Sequence, residues 1–249
     1  MKLKYILTAG AVALSGFAQA AAETCSTYSG PHTTALVELY TSEGCDSCPP
    51  ADQWLSSLFS QGFRPDQVVP LALHVDYWDY IGWKDRFASA AYSARQRRYA
   101  RDGGASTVYT PGFLLNGIEW RRWRRVSEPS GNHSVAGDLT AGIDDGNASI
   151  AFSPPAPYGD GLVAHVAVLG FGLESDVRAG ENNGRKLISD FVVLGSRDGV
   201  MAATGETYKA TLPLPQSPNE SDRTAVVVWV STIDSQTPLQ AAGGWLTRH

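Results

Sequence analysis

The sequence predicts an α/β domain followed by a smaller all-β, sandwich-like domain. Two observations predict the first part: a strand–helix–strand order over residues 35–75, and a hairpin signal after residue 110. One observation predicts the second: beyond about residue 146, strand-like runs are separated by Gly, Pro, Asn and Asp, without helical periodicity between them. The chain therefore divides into an N-terminal segment (1–20), an α/β domain (21–145) and a β-rich domain (146–249).

The N-terminal segment has the layout of a cleaved secretory signal. Two lysines, at positions 2 and 4, precede an apolar stretch from residue 5 to residue 17. The small-residue run Ala18-Gln19-Ala20 follows, which suits a signal peptidase. A transmembrane anchor would need about 20 apolar residues, and this stretch is shorter. We therefore expect an exported chain, periplasmic or secreted, whose mature form has no transmembrane anchor.

The charge balance argues against nucleic acid as a partner. The sequence has 20 basic and 25 acidic residues, and the leader would take two lysines with it. A net acidic chain lacks the electrostatic footprint of a nucleic-acid-binding protein. The arginine-rich run over residues 119–126, "EWRRWRRV", is accordingly interpreted as a solvated strand end.

The α/β domain opens with a strand over residues 35–40, "ALVELY", which is almost wholly apolar. A helix begins near Cys48, because the two prolines after it lack N–H groups and fit only the first helical turn. The run over residues 68–75, "VVPLALHV", is the second strand. Parallel pairing with a right-handed crossover is the default arrangement for this unit.

The following elements are less regular. Residues 76–104 form an aromatic and charged insertion with a helix predicted from Asp85 to about Ala100. Asn116-Gly117 between two short apolar runs predicts a β-hairpin. Apolar residues at every fourth position from Val135 to Ile143 predict a closing helix. In the β-rich domain, strands are predicted within residues 161–171, 185–196, 206–215 and 224–233.

Three cysteines follow the leader, and two of them form the C-x-x-C pair Cys45 and Cys48 at the predicted helix start. A disulfide scaffold would carry a higher and even number of cysteines, so a chemical role is favoured. Two alternatives remain open: a static disulfide, and a copper or zinc site built from the pair and His74. The third cysteine, Cys25, would be a resolving thiol if its segment reached Cys45.

The order of strand, C-x-x-C at a helix start, strand, and Thr110-Pro111 before a hairpin resembles the thioredoxin fold. This resemblance implies a mixed sheet with helices on both faces, here with a long helical insertion. It implies a cis Pro111 facing the cysteines, with Thr110 and Pro111 as substrate-binding residues. It also implies a proton-transfer role for Glu38, since thioredoxin carries a buried acid on this strand. The connection from Glu38 to Cys45 is one residue longer here.

Three motifs give a narrower resemblance: "VELYTSEGCDSCPPAD", "HVDYWDYIGWKDRF" and "GENNGRKL". Together they are similar to a family of exported bacterial proteins of unknown function, the domain of unknown function (DUF) 1223. The resemblance implies a thioredoxin-like fold and export, and it names no substrate. The "GENNGRKL" segment itself is interpreted as a turn between strands, because it lacks the spacing of a phosphate loop.

The chemistry expected of the pair is thiol–disulfide exchange. A helix N-terminus stabilises a thiolate, so the more exposed Cys45 is expected to be the nucleophile and Cys48 the resolving thiol. Glu43 and Asp46 place negative charge beside Cys45, which favours a moderate or reducing potential. The predicted function is an exported thiol–disulfide oxidoreductase that acts on a protein or small thiol without a cofactor. The rival prediction is a non-catalytic binding protein.

Overall fold

The structure is a computed structural model that describes residues 23–60, 64–127, 129–131, 133–159, 161–216 and 221–248. The predicted leader, residues 1–20, lies outside these ranges. The described residues are mostly β, with 45% of them in strands and 15% in helices. Within the described ranges, no helix combines the length and the apolar character needed to cross a membrane.

Among the described residues, the first half of the chain contains two α-helices together with strands and two short 3-10 turns. In chain order these elements are β1 (Glu23–Tyr28), β2 (Ala35–Thr41), α1 (Pro49–Ser60), β3 (Val68–His74), a 3-10 turn (Asp76–Ile81), α2 (Ala90–Arg101), β4 (Gly112–Leu115), β5 (Ile118–Glu119) and a 3-10 turn (Trp123–Arg125).

The second half consists of strands and connecting loops. They are β6 (Asp138–Asp144), β7 (Asn147–Ser153), β8 (Leu162–Gly170), β9 (Leu173–Asp176), β10 (Lys186–Ser189), β11 (Val192–Val200), β12 (Ala202–Thr204), β13 (Thr207–Pro213), β14 (Thr224–Thr232), β15 (Pro238–Trp245) and β16 (Thr247–Arg248).

The main sheet has eight strands in the order β15-β14-β8-β11-β3-β2-β4-β5. Its parallel pairs are β2 with β3 and β3 with β11, and the other neighbours are antiparallel. β15 also contacts β2 and β3, so the sheet is curved. A second sheet, β12-β13-β7-β6-β1-β16, packs against its β8 and β14 region, and β9 and β10 form a separate hairpin.

The predicted fold class is wrong: the chain is not an α/β thioredoxin-like domain with a long helical insertion followed by a separate all-β domain. The main sheet combines β2 and β3 with β8, β11, β14 and β15, and so crosses the predicted boundary at residue 145. Between β3 and β4 the chain forms a 3-10 turn and a 12-residue helix, not a long helical insertion. Hydrophobic periodicity identifies strands, but it does not say which sheet each strand joins.

One local prediction, the Asn-Gly hairpin, is confirmed, and another, the closing helix, is wrong. Asn116 and Gly117 have φ values of 49° and 79° and close the β4–β5 hairpin, as an Asn-Gly turn does. The predicted closing helix is instead β6, in which Leu139, Ala141 and Ile143 are buried alternately. A spacing of four residues fits both a strand of period two and a helix, so the pattern was ambiguous.

The two helices contact opposite faces of β2. On one face, the Thr41 hydroxyl donates to Asp52 of α1 at 3.0 Å. On the other, Arg95 of α2 pairs with Glu38 at 2.6 Å. Positions 38 and 41 differ by an odd number, so their side chains point to opposite faces of the strand. The start of α1, with its cysteines, therefore lies on the face opposite Glu38.

Candidate active site

Cys45 and Cys48 lie in the turn between β2 and α1. The Cys48 carbonyl accepts the backbone N–H of Asp52 at 3.1 Å, which places Cys48 at the helix N-terminus. Both thiols are free, and both residues have 0% exposed surface. The expectation that Cys45 is the more exposed sulfur is therefore not met, and exposure does not distinguish the two.

Proton affinity does distinguish the two thiols. The Cys48 thiol donates a hydrogen bond to the Cys45 sulfur and lowers the pKa of Cys45 to about 6 against the opposing effect of burial. The Ser47 hydroxyl, 3.2 Å from the Cys45 sulfur, and the Thr110 hydroxyl add to this lowering. Burial, and then the hydrogen bond to Cys45, raise the pKa of Cys48. The negative charge of the pair thus rests on Cys45, the sulfur predicted to be the nucleophile.

Thr110 and Pro111 lie at the cysteines. The Thr110–Pro111 peptide bond is cis, as the resemblance implies. The Thr110 hydroxyl interacts with both thiols and accepts the indole N–H of Trp78 at 2.7 Å. The structure therefore brings together four of the five predicted site residues.

The 3-10 turn Asp76–Ile81 covers the cysteine turn. A Cβ atom added to Gly44 would lie 3.2 Å from the Trp78 Cβ atom, so this turn packs directly on the residue before Cys45. The cover is fixed to α2, because the Tyr77 hydroxyl donates to Gln96 at 3.0 Å. The "DYWDYIGW" segment, interpreted from sequence as the aromatic part of an insertion that leads into a helix, thus accounts for the burial of Cys45.

Glu38, the predicted proton-transfer residue, is not placed with the cysteines. Its carboxylate is fully buried on the α2 face of β2. Arg95 Nε donates to it at 2.6 Å and the Tyr99 hydroxyl donates to it at 2.8 Å. These partners give Glu38 a structural role in holding α2 to the sheet.

The acid that lies near Cys48 is Asp52, not Glu38 as the sequence predicted. Asp52 is half-buried on α1, and its buried Oδ1 atom has no hydrogen-bond partner among the described residues. Burial raises the pKa of Asp52 to about 7, while His74 opposes the shift. Asp52 in turn raises the pKa of Cys48, so the two groups are close. The available sequence signal was spacing, since Asp52 follows Cys48 by four residues at a helix start.

A buried ion pair lies next to this acid. His74 Nδ1 and Asp85 Oδ2 are 2.7 Å apart, and both side chains are almost fully buried. Burial lowers the pKa of His74, but the charge of Asp85 outweighs it and raises that pKa to about 9. Across the described ranges, no group of three or more His, Cys, Asp or Glu is arranged to hold a metal ion, including the cysteine pair with His74.

The loop between β9 and β10 supports the cysteine turn. The buried Asn182 amide donates to the carbonyl oxygens of Glu43 at 2.9 Å and Cys45 at 2.8 Å. Glu181 accepts the backbone N–H of Asp46 at 3.0 Å. These residues belong to the "GENNGRKL" segment, whose role sequence analysis missed because a turn pattern does not reveal what the turn touches.

Cys25 lies elsewhere. It belongs to β1 of the second sheet, where it pairs with Ile143 of β6. Its sulfur approaches Gly244 of β15, and burial raises its pKa. The contacts of the described residues do not join Cys25 to Cys45, so the structure gives no support to a resolving role.

Comparison with known proteins supplies the family. A family model described as "Protein of unknown function (DUF1223)" matches residues 36–231. The chain belongs to the DUF1223 family. The match covers β2, both cysteines and most of the second half, so the DUF1223 region includes strands of both sheets.

Two solved structures resemble this DUF1223 chain. A crystal structure of a protein from Agrobacterium tumefaciens is 25% identical, with a TM-score of 0.58 over 86% of this chain and 94% of that chain. HBP35 of Porphyromonas gingivalis is 12% identical, with a TM-score of 0.51 over 85% of this chain and 74% of that chain, and shows likeness of fold alone. A comparison with curated proteins finds no significant match.

Proposed function

We propose that this DUF1223 protein is an exported thiol–disulfide oxidoreductase that uses Cys45 and Cys48 on a partner protein or small thiol. The supporting observation is the unequal proton affinity of the pair. The pKa of Cys45 is lowered to about 6 while that of Cys48 is raised. Only a thiolate is nucleophilic in disulfide exchange, so this asymmetry prepares one sulfur to attack and keeps the other protonated.

The reaction has two steps. The Cys45 thiolate attacks one sulfur of the partner's disulfide, forms a mixed disulfide and releases the partner's other sulfur as a thiolate. The Cys48 thiol then loses its proton and attacks the Cys45 sulfur, which forms the Cys45–Cys48 disulfide and releases the partner's second thiolate. Two electrons pass to the partner, and a second dithiol must reduce the pair before the next cycle.

Asp52 is the proposed acceptor of the Cys48 proton. Its pKa of about 7 lets the carboxylate take up a proton near neutral pH, and its unpartnered Oδ1 atom can accept one. Glu38 is unsuited to this step, because its carboxylate is occupied by Arg95 and Tyr99 on the other face of β2.

Access to Cys45 requires movement of the covering turn. The hydrogen bond between Trp78 and Thr110 closes this turn over the cysteines, so a partner must displace it to reach the sulfur. The rival function, a non-catalytic binding protein, would leave the turn closed. Thiol reactivity therefore separates the two functions.

The test is capture of a mixed disulfide. We expect the Cys48→Ser variant to form a stable mixed disulfide through Cys45 with an added disulfide substrate, detected by mass under non-reducing conditions. The Cys45→Ser variant should form none, and Cys25→Ser, the matched control, should behave as the unmodified protein. If Cys48→Ser traps no disulfide and both cysteines resist alkylation in the folded protein, the result favours the binding-protein function.

Export is tested separately. The protein recovered from outside the cytosol should have an N-terminus that begins near Ala21.

A further inference from the structure

A cavity of about 520 Å³ lies between α2 and the sheet face formed by β8, β11 and β14. It is separate from the cysteine site. Helix α2 directs Ser93 and Gln96 toward the 3-10 turn that covers the cysteines, and Arg95 and Arg98 toward this cavity. The volume is typical of a pocket for a small organic ligand.

The floor of the cavity is a flat pair of rings. His165 and Trp229 stack with ring centroids 4.9 Å apart and an interplanar angle of 7°. The His165 ring is neutral at pH 7, because burial and then the charges of Arg95 and Arg98 lower its pKa to about 3. The buried indole N–H of Trp229 has no hydrogen-bond partner among the described residues. The Arg95 guanidinium lies over the Trp229 ring, 5.3 Å from its centroid, so the uncharged aromatic surface left to a ligand is the His165 side of the stack.

Two opposite charges remain unpaired at the cavity. Glu38 neutralises Arg95, whereas the Arg98 guanidinium and the Asp198 carboxylate form no ion pair, with each other or with other described groups. Asp198 is directly opposite His165 in the β8–β11 ladder, so both side chains lie on the cavity face. Arg197 also lines the cavity, although its side chain alternates to the other face of the strand. The Arg98 and Asp198 side chains are both exposed at the rim of the cavity, where a ligand with one anionic and one cationic group would pair with them.

We propose that this cavity binds a small zwitterion of the amino-acid type with a flat apolar body. Its carboxylate pairs with Arg98 on α2, its ammonium with Asp198 on β11, and its body packs on the His165–Trp229 stack. The exposed apolar side chains of Val200 and Ile233, which line the same cavity, cover the outer edge of the body. This binding does not depend on the cysteine chemistry.

The test uses three probes of matched size in isothermal titration: L-phenylalanine, 3-phenylpropanoate, which lacks the ammonium, and 2-phenylethylamine, which lacks the carboxylate. We expect phenylalanine to bind about tenfold more tightly than either single-charge probe. Arg98→Gln should weaken phenylalanine and phenylpropanoate but not phenylethylamine. Asp198→Asn should weaken phenylalanine and phenylethylamine but not phenylpropanoate. Arg124→Gln, an exposed arginine on the far 3-10 turn, is the charge-matched control and should change none of them.

Location is checked independently of affinity. Phenylalanine should shift the indole N–H resonance of Trp229, assigned by its loss in Trp229→Phe, and the cavity-filling Val163→Phe should abolish the shift while the protein stays folded. A Cys45→Ser/Cys48→Ser variant should bind phenylalanine normally. The proposal is overturned if phenylalanine gives no saturable binding, if the three probes bind equally, or if neither charge variant changes affinity.

Discussion

The side-chain amide of Asn182 donates a 2.8 Å hydrogen bond to the carbonyl oxygen of Cys45, although 137 positions separate the two residues. A second bond, to Glu43, fixes the same turn at 2.9 Å. The C-x-x-C turn is thus supported by a loop of the second half of the chain, and the strand–helix–strand unit alone lacks these two hydrogen bonds.

We expect Asn182→Ala to lower the free energy of unfolding by about 2–4 kcal/mol, because it leaves the Glu43 carbonyl without its donor and the Cys45 carbonyl with only the 3.3 Å bond from the Cys48 N–H. Urea denaturation measures the change. Asn183→Ala is the matched control: its side chain is exposed, so its effect should stay within about 0.5 kcal/mol. Equal stability of the two variants would show that the amide does not hold the turn.

The lowered pKa of Cys45 predicts the pH profile of its alkylation. The rate with iodoacetamide should rise with pH through a midpoint near 6 and then level off, because the thiolate is the reactive form. Ser47→Ala should move the midpoint to higher pH by removing one hydrogen bond to the sulfur. Mass spectrometry of quenched samples resolves Cys45 from Cys25, whose pKa is raised and which serves as the internal control. A Cys45 midpoint above about pH 8 contradicts the assignment.

Asp52→Asn should slow the resolving step. An amide cannot accept the Cys48 proton, so the mixed disulfide with a substrate should persist about tenfold longer or more than in the unmodified protein. Acid-quenched mass spectrometry follows its decay. Asp46→Asn, which removes an exposed acid inside the C-x-x-C sequence, is the control and should leave the decay unchanged. If both variants resolve at the normal rate, another group takes the proton.

Asp52 also predicts a dependence of stability on pH. Its pKa is raised from 3.8 to about 7 by burial, so the folded state binds the proton more tightly than the unfolded state, and stability from this group falls as pH rises from about 4 to about 7. The Asp52→Asn variant should not show that fall, and above pH 7 its free energy of unfolding should exceed that of the unmodified protein by up to about 4 kcal/mol. His74, whose pKa is raised to about 9, loses its contribution in a higher window, from about 6.5 to 9, so the two effects separate. Urea unfolding at pH 4, 5.5, 7 and 9 measures both, and parallel curves for the two proteins would contradict this account.

The sequence predicts a local feature correctly where a single short-range rule determines it. The prolines after Cys48 placed the start of α1, and Asn116-Gly117 placed the hairpin. The strand order of the main sheet could not be predicted from sequence, because β8 and β14 are as apolar as the strands of a separate sandwich would be. Strand partners are fixed by long-range packing, which periodicity does not encode.

The candidate site shows the same division. The C-x-x-C pair and Thr110-Pro111 carry motifs of their own, whereas Asn182 has no motif and acts only through a contact across the fold. Glu38 and Asp52 are both acids near the pair in sequence. The choice between them depends on which face of β2 each one meets, and that depends on the packing of the two helices.

Glu38→Gln tests this choice directly. The substitution leaves Arg95 largely buried without its counter-charge, so we expect a loss of about 3 kcal/mol in the free energy of unfolding. The lifetime of the mixed disulfide should remain that of the unmodified protein, in contrast to Asp52→Asn. The double variant Glu38→Leu/Arg95→Met removes both charges and should recover stability, since replacing a buried ion pair by apolar groups is often neutral. Glu38 lies on the other face of β2, where Arg95, Tyr99 and Tyr40 donate to it, so it has no route to the Cys48 proton in this fold. If Glu38→Gln instead prolonged the mixed disulfide without lowering stability, Glu38 would be the proton acceptor and Asp52 would not.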